Sequence, residues 1–217
     1  MVLFLLVICI LGCSDDDEPQ THAVQDIDGN VYAAKAIGSQ VWMIDNLRVT
    51  KLNDGTAIPY VTDDDDASIL TTGAFTYYGD NPANQNVYGA LYNWHAVNSG
   101  KLCPTGWHIP SDSEWTTLIN SLGGEGVAGG DMKAIGTSHW SAPNTGATNN
   151  SGFTALPAGY LYDDSEYHSL GNVAHWWTST QSDADAAFDR YVTFQSASAT
   201  KGTYNKEVFY SCRCLKD

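Results

Sequence analysis

A chain of 217 residues with 43% hydrophobic, 12% aromatic and only 16% charged side chains can bury a sizeable core, which excludes a wholly disordered protein. Its formal charge of −15 at pH 7 repels phosphate backbones, and no basic stripe offsets it, so nucleic-acid binding is excluded at this stage. The same acidic balance favours solubility.

The chain opens on an unbroken apolar run, Val2 to Leu11, too short to span a bilayer and of the length of a secretory h-region. No Lys or Arg precedes it. The run ends in Ile10-Leu11-Gly12-Cys13, which resembles a bacterial lipobox, whose cysteine is acylated and becomes the mature N-terminus. The Ser14-Asp15-Asp16-Asp17-Glu18 that follows resembles the export signal of surface-exposed Bacteroidetes lipoproteins. These resemblances imply a signal peptide over residues 1–12, a lipidated Cys13 with an acidic tether over 13–22, and one domain over 23–217. They also imply a location in the outer membrane, anchored through lipid and facing the cell exterior.

Gln25 to Val49 reads as a hairpin: a turn at Asp28-Gly29, a strand over Val31 to Ile37, a turn at Gly38-Ser39 and a strand over Gln40 to Ile44. Thr50 to Asn86 is loop-rich and carries the run Asp63-Asp64-Asp65-Asp66. Val87, Leu91, Trp94 and Asn98 fall on one helical line, so a helix is expected over 87–98 despite Gly89. Ser111-Asp112-Ser113-Glu114 is a capping box, with Trp115, Leu118, Ile119 and Leu122 following at helical spacing and Gly123-Gly124 as a stop. A single-turn helix is expected at Asp131 to Ile135. Beyond it, Phe153–Leu156, Ala174–Ser179, Arg190–Phe194 and Val208–Cys214 are strand candidates between Gly- and Asn-rich loops. Helices inside a mostly β chain predict an α+β fold.

Once the leader and Cys13 are set aside, Cys103, Cys212 and Cys214 remain, enough for one disulfide and one thiol in an oxidising compartment. Cys212 and Cys214 share a strand face and are poorly placed to bridge each other, so Cys103 pairs with one of them.

Several blocks carry a wider resemblance: Tyr88-Gly89-Ala90-Leu91-Tyr92-Asn93-Trp94, Gly106-Trp107-His108-Ile109-Pro110-Ser111-Asp112-Ser113-Glu114-Trp115, Ser151-Gly152-Phe153-Thr154-Ala155-Leu156-Pro157, Trp176-Trp177-Thr178-Ser179 and the ending Arg213-Cys214-Leu215-Lys216-Asp217. With Val41-Trp42-Met43 and Asn46-Leu47 they resemble the Fibrobacter succinogenes major paralogous domain over about residues 25–217. The Gly-Trp-His-Ile-Pro block is also similar to C-type-lectin-like and sulfatase-modifying-factor domains. The resemblance implies two main helices packed on a twisted, mostly antiparallel sheet with long irregular loops. It implies the pairing Cys103–Cys214, with Cys212 replacing a buried apolar residue.

A reacting group for an enzyme is not visible. There is no Gly-x-Ser-x-Gly, no phosphate-cradling glycine loop and no His-Glu-x-x-His. His22, His95, His108, His139, His168 and His175 never stand at metal-ligand spacing, and His108 reads as a hydrogen-bonded packing residue. The chain is therefore expected to be non-catalytic, with an uncharacterised hydrolase as a remote alternative. The stretch Ser138 to His175 corresponds, through the lectin-like resemblance, to a ligand-bearing loop region. Trp140, Tyr160, Tyr162, Asp163 and Asp164 are its candidate ligand-binding residues, with the amides of Asn144, Asn149 and Asn150. Strand alternation is expected to turn one of Trp176 and Trp177 outward as a stacking platform. Asp63–Asp66 and the group Asp183, Asp185 and Asp189 are oxygen-rich candidates for calcium, though neither has EF-hand spacing. No other cofactor is expected. The function so read is a surface lipoprotein binding glycan or another extracellular ligand; the alternative is an assembly subunit of a surface complex with a protein partner.

Overall fold

The computed structural model describes residues 22–62, 67–162 and 164–217, so the leader and Cys13, the Asp63–Asp66 run and Asp163 lie outside the described residues. The N-terminal hairpin forms as its sequence dictates. Strands β1 (His22–Gln25), β2 (Val31–Ile37) and β3 (Gln40–Met43) pair antiparallel, and β2 turns Tyr32, Ala34 and Ile37 inward. Asp26 organises the first turn: its carboxylate accepts from the Asp28 and Asn30 amides and from the Tyr32 hydroxyl at 2.6 Å.

Two further sheets complete the β structure. One joins β4 (Phe75–Thr76), β5 (Leu91–Asn93), β7 (Tyr160–Leu161), β8 (Tyr167–His168) and β12 (Phe209–Tyr210) in the order β4-β5-β12-β7-β8. The other is β9 (Val173–Gln181), β10 (Ala186–Thr193) and β11 (Ala199–Asn205), with β10 central. The hairpin sheet is closed by β6 (Trp107–His108) and β13 (Leu215–Lys216), in the order β1-β2-β3-β13-β6. The expected strand over 208–214 is thus corrected to the short β12, with β13 following just beyond it in a different sheet. The expected strand at Phe153–Leu156 is reduced to one bridge between Ala155 and Lys133.

Helix α3 (Asp112–Ser121) has both bonds of its capping box and buries Trp115, Leu118 and Ile119, as its periodicity requires. The helix expected over 87–98 is corrected to two short helices, α1 (Gln85–Tyr88) and α2 (Trp94–Asn98), split by β5. Gly89 is the cause. It stands at φ 78°, and a Cβ there would meet Asn46 Cβ at 2.7 Å and Leu47 O at 2.9 Å. The Ala90 amide then donates to Leu47 O, pulling the chain into the sheet. The helix expected at 131–135 is likewise corrected to α4 (Glu125–Met132). Its Gly129 and Gly130 pack against the carbonyls of Ser198 and Gly146 at 2.2 and 2.4 Å from the position a Cβ would take. Close packing, not turn formation, explains those glycines.

The sheet β9-β10-β11 is covered on both faces. On one side Trp176, Ala174 and Val192 join Trp42, Trp115, Phe153 and residues of α3 and α4 in a dense aromatic core. There Trp42 and Trp115 have ring centroids 4.7 Å apart, and Trp176 lies 5.5 Å from Phe153. On the other side Trp177 packs with Tyr92, Tyr210 and the Cys103–Cys214 disulfide region. The architecture is α+β, mostly antiparallel curled sheets with few helices. The pairing Cys103–Cys214 is present, and Cys212 is a buried thiol whose pKa burial pushes far up.

His108 is hydrogen-bonded on both ring nitrogens, Nδ1 to Asp217 at 2.7 Å and Nε2 to Glu114 at 3.0 Å. Partial burial opposes its charge, but the bonds to Asp217 and Glu114 outweigh it and raise the pKa above 6.5. The stabilisation is complete below the unfolded value and fades as pH rises through the higher folded value. The urea midpoint of His108→Gln should therefore fall furthest below wild type near about pH 5.5, the gap narrowing towards about pH 8. A gap independent of pH would exclude a charged His108.

Candidate functional site

Alternation along β9 sends His175 and Trp177 to the face opposite Trp176. In the β9–β10 register His175 stands opposite Tyr191, and in the β10–β11 register Asp189 stands opposite Gly202. A bulge between Ala187 and Asp189 shifts the β9–β10 pairing and re-aims the Asp189 side chain. It meets His175, whose Nδ1–H donates to Asp189 Oδ2 at 2.6 Å, with both side chains buried. Gly202 is required here, because a Cβ would come within 2.2 Å of Asp189 Oδ1 and 2.8 Å of the Tyr204 ring.

The His175 ring lies in a box of phenols. Tyr210 stacks on one face at 4.3 Å and 7°, and Tyr191 lies at 4.9 Å and 31°. Tyr160 and Tyr204 close the edges at 5.4 and 5.7 Å, close to perpendicular. Tyr162 and His168 extend the cluster, each against Tyr160. Tyr160, Tyr162, Tyr191 and Tyr204 are half-buried, so the box has a partly solvent-facing rim. Burial and the Asp189 charge push the Tyr204 pKa up to about 12 and that of Tyr210 higher still. These phenols are neutral hydroxyls at every physiological pH. Asp189 Oδ1 and the Tyr210 hydroxyl are buried and have no hydrogen-bond partner among the described residues.

Of the residues expected to bind ligand, the structure brings Tyr160 and Tyr162 into this cluster. Trp140, Trp176 and Trp177 are 1%, 0% and 0% exposed, and their indole N–H groups donate to Ala155 O, Asn46 Oδ1 and Tyr92 O. The expectation that one of Trp176 and Trp177 faces outward is corrected, because the sheet carrying them has a core on each side. Asp164 is exposed beside the cluster and accepts from the Glu166 amide and from His168 at 3.1 Å, and these bonds hold its carboxyl below 3.8. Asn144 is buried and donates to Ala134 O and Gly136 O, while Asn149 and Asn150 bond Thr154 and Asp131. Those amides fix loops instead of lining the box.

Asp183, Asp185 and Asp189 do not converge. Asp183 accepts from the Asp185 and Ala186 amides, and Asp189 pairs with His175. Among the described residues no group of three or more His, Cys, Asp or Glu side chains is placed to hold a metal. His175, Tyr191, Tyr204 and Tyr210 were missing from the sequence-based set, and Asp189 stood in it only as a calcium candidate. They come together through strand register, for which the sequence carries no local signal.

Fold and cluster together define an α+β domain with a tyrosine-boxed histidine–aspartate pair. The chain belongs to the Fibrobacter succinogenes major domain family, whose model matches residues 36–216. No curated protein and no solved structure matches the chain.

Proposed function

We propose that this protein is a surface-exposed lipoprotein, anchored through Cys13 in the outer membrane, whose lectin-like domain binds glycan without transforming it. The observation that carries the reading is the half-buried rim of Tyr160, Tyr162, Tyr191 and Tyr204 around His175 and Asp189. Tyrosine faces stack on the C–H faces of a sugar ring, while phenol hydroxyls bond its hydroxyls. Asp189 fixes the buried imidazole on which the tyrosines pack, so the rim is preformed. A protein of charge −15 favours neutral glycans over polyanionic ones.

A glycan and polysaccharide array probed with residues 14–217, with and without EDTA, tests this. Saturable binding is expected, weakened about tenfold by Tyr204→Ala at unchanged melting temperature, the scale of one lost aromatic contact. Binding unaltered by Tyr204→Ala and Tyr160→Ala would exclude the tyrosine rim as the site. Sensitivity to EDTA would implicate calcium, and a blank array would favour the assembly role.

A further inference from the structure

Arg213 is 1% exposed, yet its hydrogen bonds go only to neutral acceptors. Nε donates to Asn46 Oδ1 at 2.9 Å, and the two terminal nitrogens donate to the carbonyls of Phe153 and Thr154. Those bonds engage three of the five N–H donors that a guanidinium carries. No carboxylate forms an ion pair with it among the described residues. Buried charges are ordinarily paired, because an isolated one is costly to remove from water. Burial pulls its pKa down from 12.5 to about 9, and the longer-range attraction of Asp45 offsets only part of that fall.

Arg213 lines a cavity of about 60 Å³ between the segment Ile44–Arg48, helix α1 and Thr154. Arg48, Gln85 and Asn86 line it too, and Gln85 Nε2 donates to Arg48 O at 3.4 Å. Arg48 is held in place by its bond to Val31 O at 2.9 Å and by stacking on Tyr32 at 4.7 Å. Asp45 is the acid of this wall, but it is exposed and its Oδ2 already accepts from the Ala33 amide at 2.8 Å. The wall therefore keeps a net positive charge in a protein of charge −15. The volume is several times the roughly 10–15 Å³ that a single water needs, which leaves room for a small anion.

We propose that this cavity, between Arg48, Gln85 and Arg213, binds a small monovalent anion, either chloride or a carboxylate group. The anion compensates the buried Arg213 charge and bridges it to Arg48 and the α1 amides. The site lies apart from the tyrosine box and does not depend on the glycan reading.

Thermal unfolding of the full chain in sodium isethionate, with isethionate replaced stepwise by chloride or formate at constant ionic strength, is the test. Isethionate is bulkier than either anion, carries no carboxylate and serves as the reference. The melting temperature is expected to rise by about 2–4 °C as either small anion replaces it, as for a ligand that binds only the folded state. Arg48→Gln and Gln85→Glu should each abolish the rise, measured against that variant's own melting temperature in isethionate. A response to chloride alone assigns a halide site; a stronger response to formate assigns recognition of a carboxylate. Identical melting temperatures in all three salts, or a rise that persists in both variants, would overturn the proposal.

Discussion

Replacing Arg213 with leucine is expected to lower the unfolding free energy by about 3–5 kcal/mol, among the largest effects of any single substitution here. The guanidinium lies between the rings of Phe153 and Trp176, 4.1 and 5.5 Å from their centroids. Its partner Asn46 Oδ1 also accepts from Trp176 Nε1 at 2.9 Å, so one amide joins the C-terminal segment to β9. Removing the guanidinium leaves the Phe153 and Thr154 carbonyls without their donor, and an unmet buried acceptor costs about 1–3 kcal/mol. Thr154 adds strain, since this β-branched residue stands at φ 54° and is held there partly by Asn149 and partly by Arg213. Urea unfolding at unchanged m measures the effect. A loss below about 1 kcal/mol would mean that leucine packs well enough to replace the whole arrangement.

Opening the Cys103–Cys214 disulfide should cost about 4 kcal/mol, because it closes a loop of 111 residues and constrains the unfolded chain accordingly. The bond ties the segment before β6 to the segment before β13, and the Cys214 carbonyl also accepts from Met43 at 3.0 Å. For a chain of this length the melting temperature should fall by roughly 8–16 °C in reductant or in the Cys103→Ser/Cys214→Ser variant. The buried Cys212 thiol should react with alkylating reagents only after unfolding, which separates it from the pair. A reduced protein that melts within about 2 °C of the oxidised one would show that native contacts alone fix these segments.

Local patterns were legible in the sequence, and long-range juxtapositions were not. The hairpin over Val31–Met43 and helix α3 follow from alternation, turn residues and a capping box within a few positions of one another. The disulfide followed from family resemblance, not from spacing. Gly89 defeated the helical pattern over 87–98 because its role is set by Asn46 and Leu47, more than forty positions away. Helix α4 was hidden by glycines that read as loop residues until the Ala197–Ser198 backbone is seen packing on them. Trp176 and Trp177 looked like an inside–outside pair, but alternation says which face a residue takes, not whether that face is covered. The candidate site shows the same limit. Tyr160 and Tyr162 carry recognisable chemistry, whereas His175, Asp189 and Gly202 acquire theirs only from the pairing of β9, β10 and β11.

The position of β13 has a consequence for how the molecule comes into being. Residues Leu215 and Lys216 lie between β3 and β6, so the two halves of that sheet have no direct ladder between them. A chain emerging N-terminus first can form the β1-β2-β3 hairpins at once, but it cannot join β6 to them until residues 215 and 216 are free. Closure of that sheet therefore waits on the most distant pairing in the domain, and the early hairpins stay without their final edge until then.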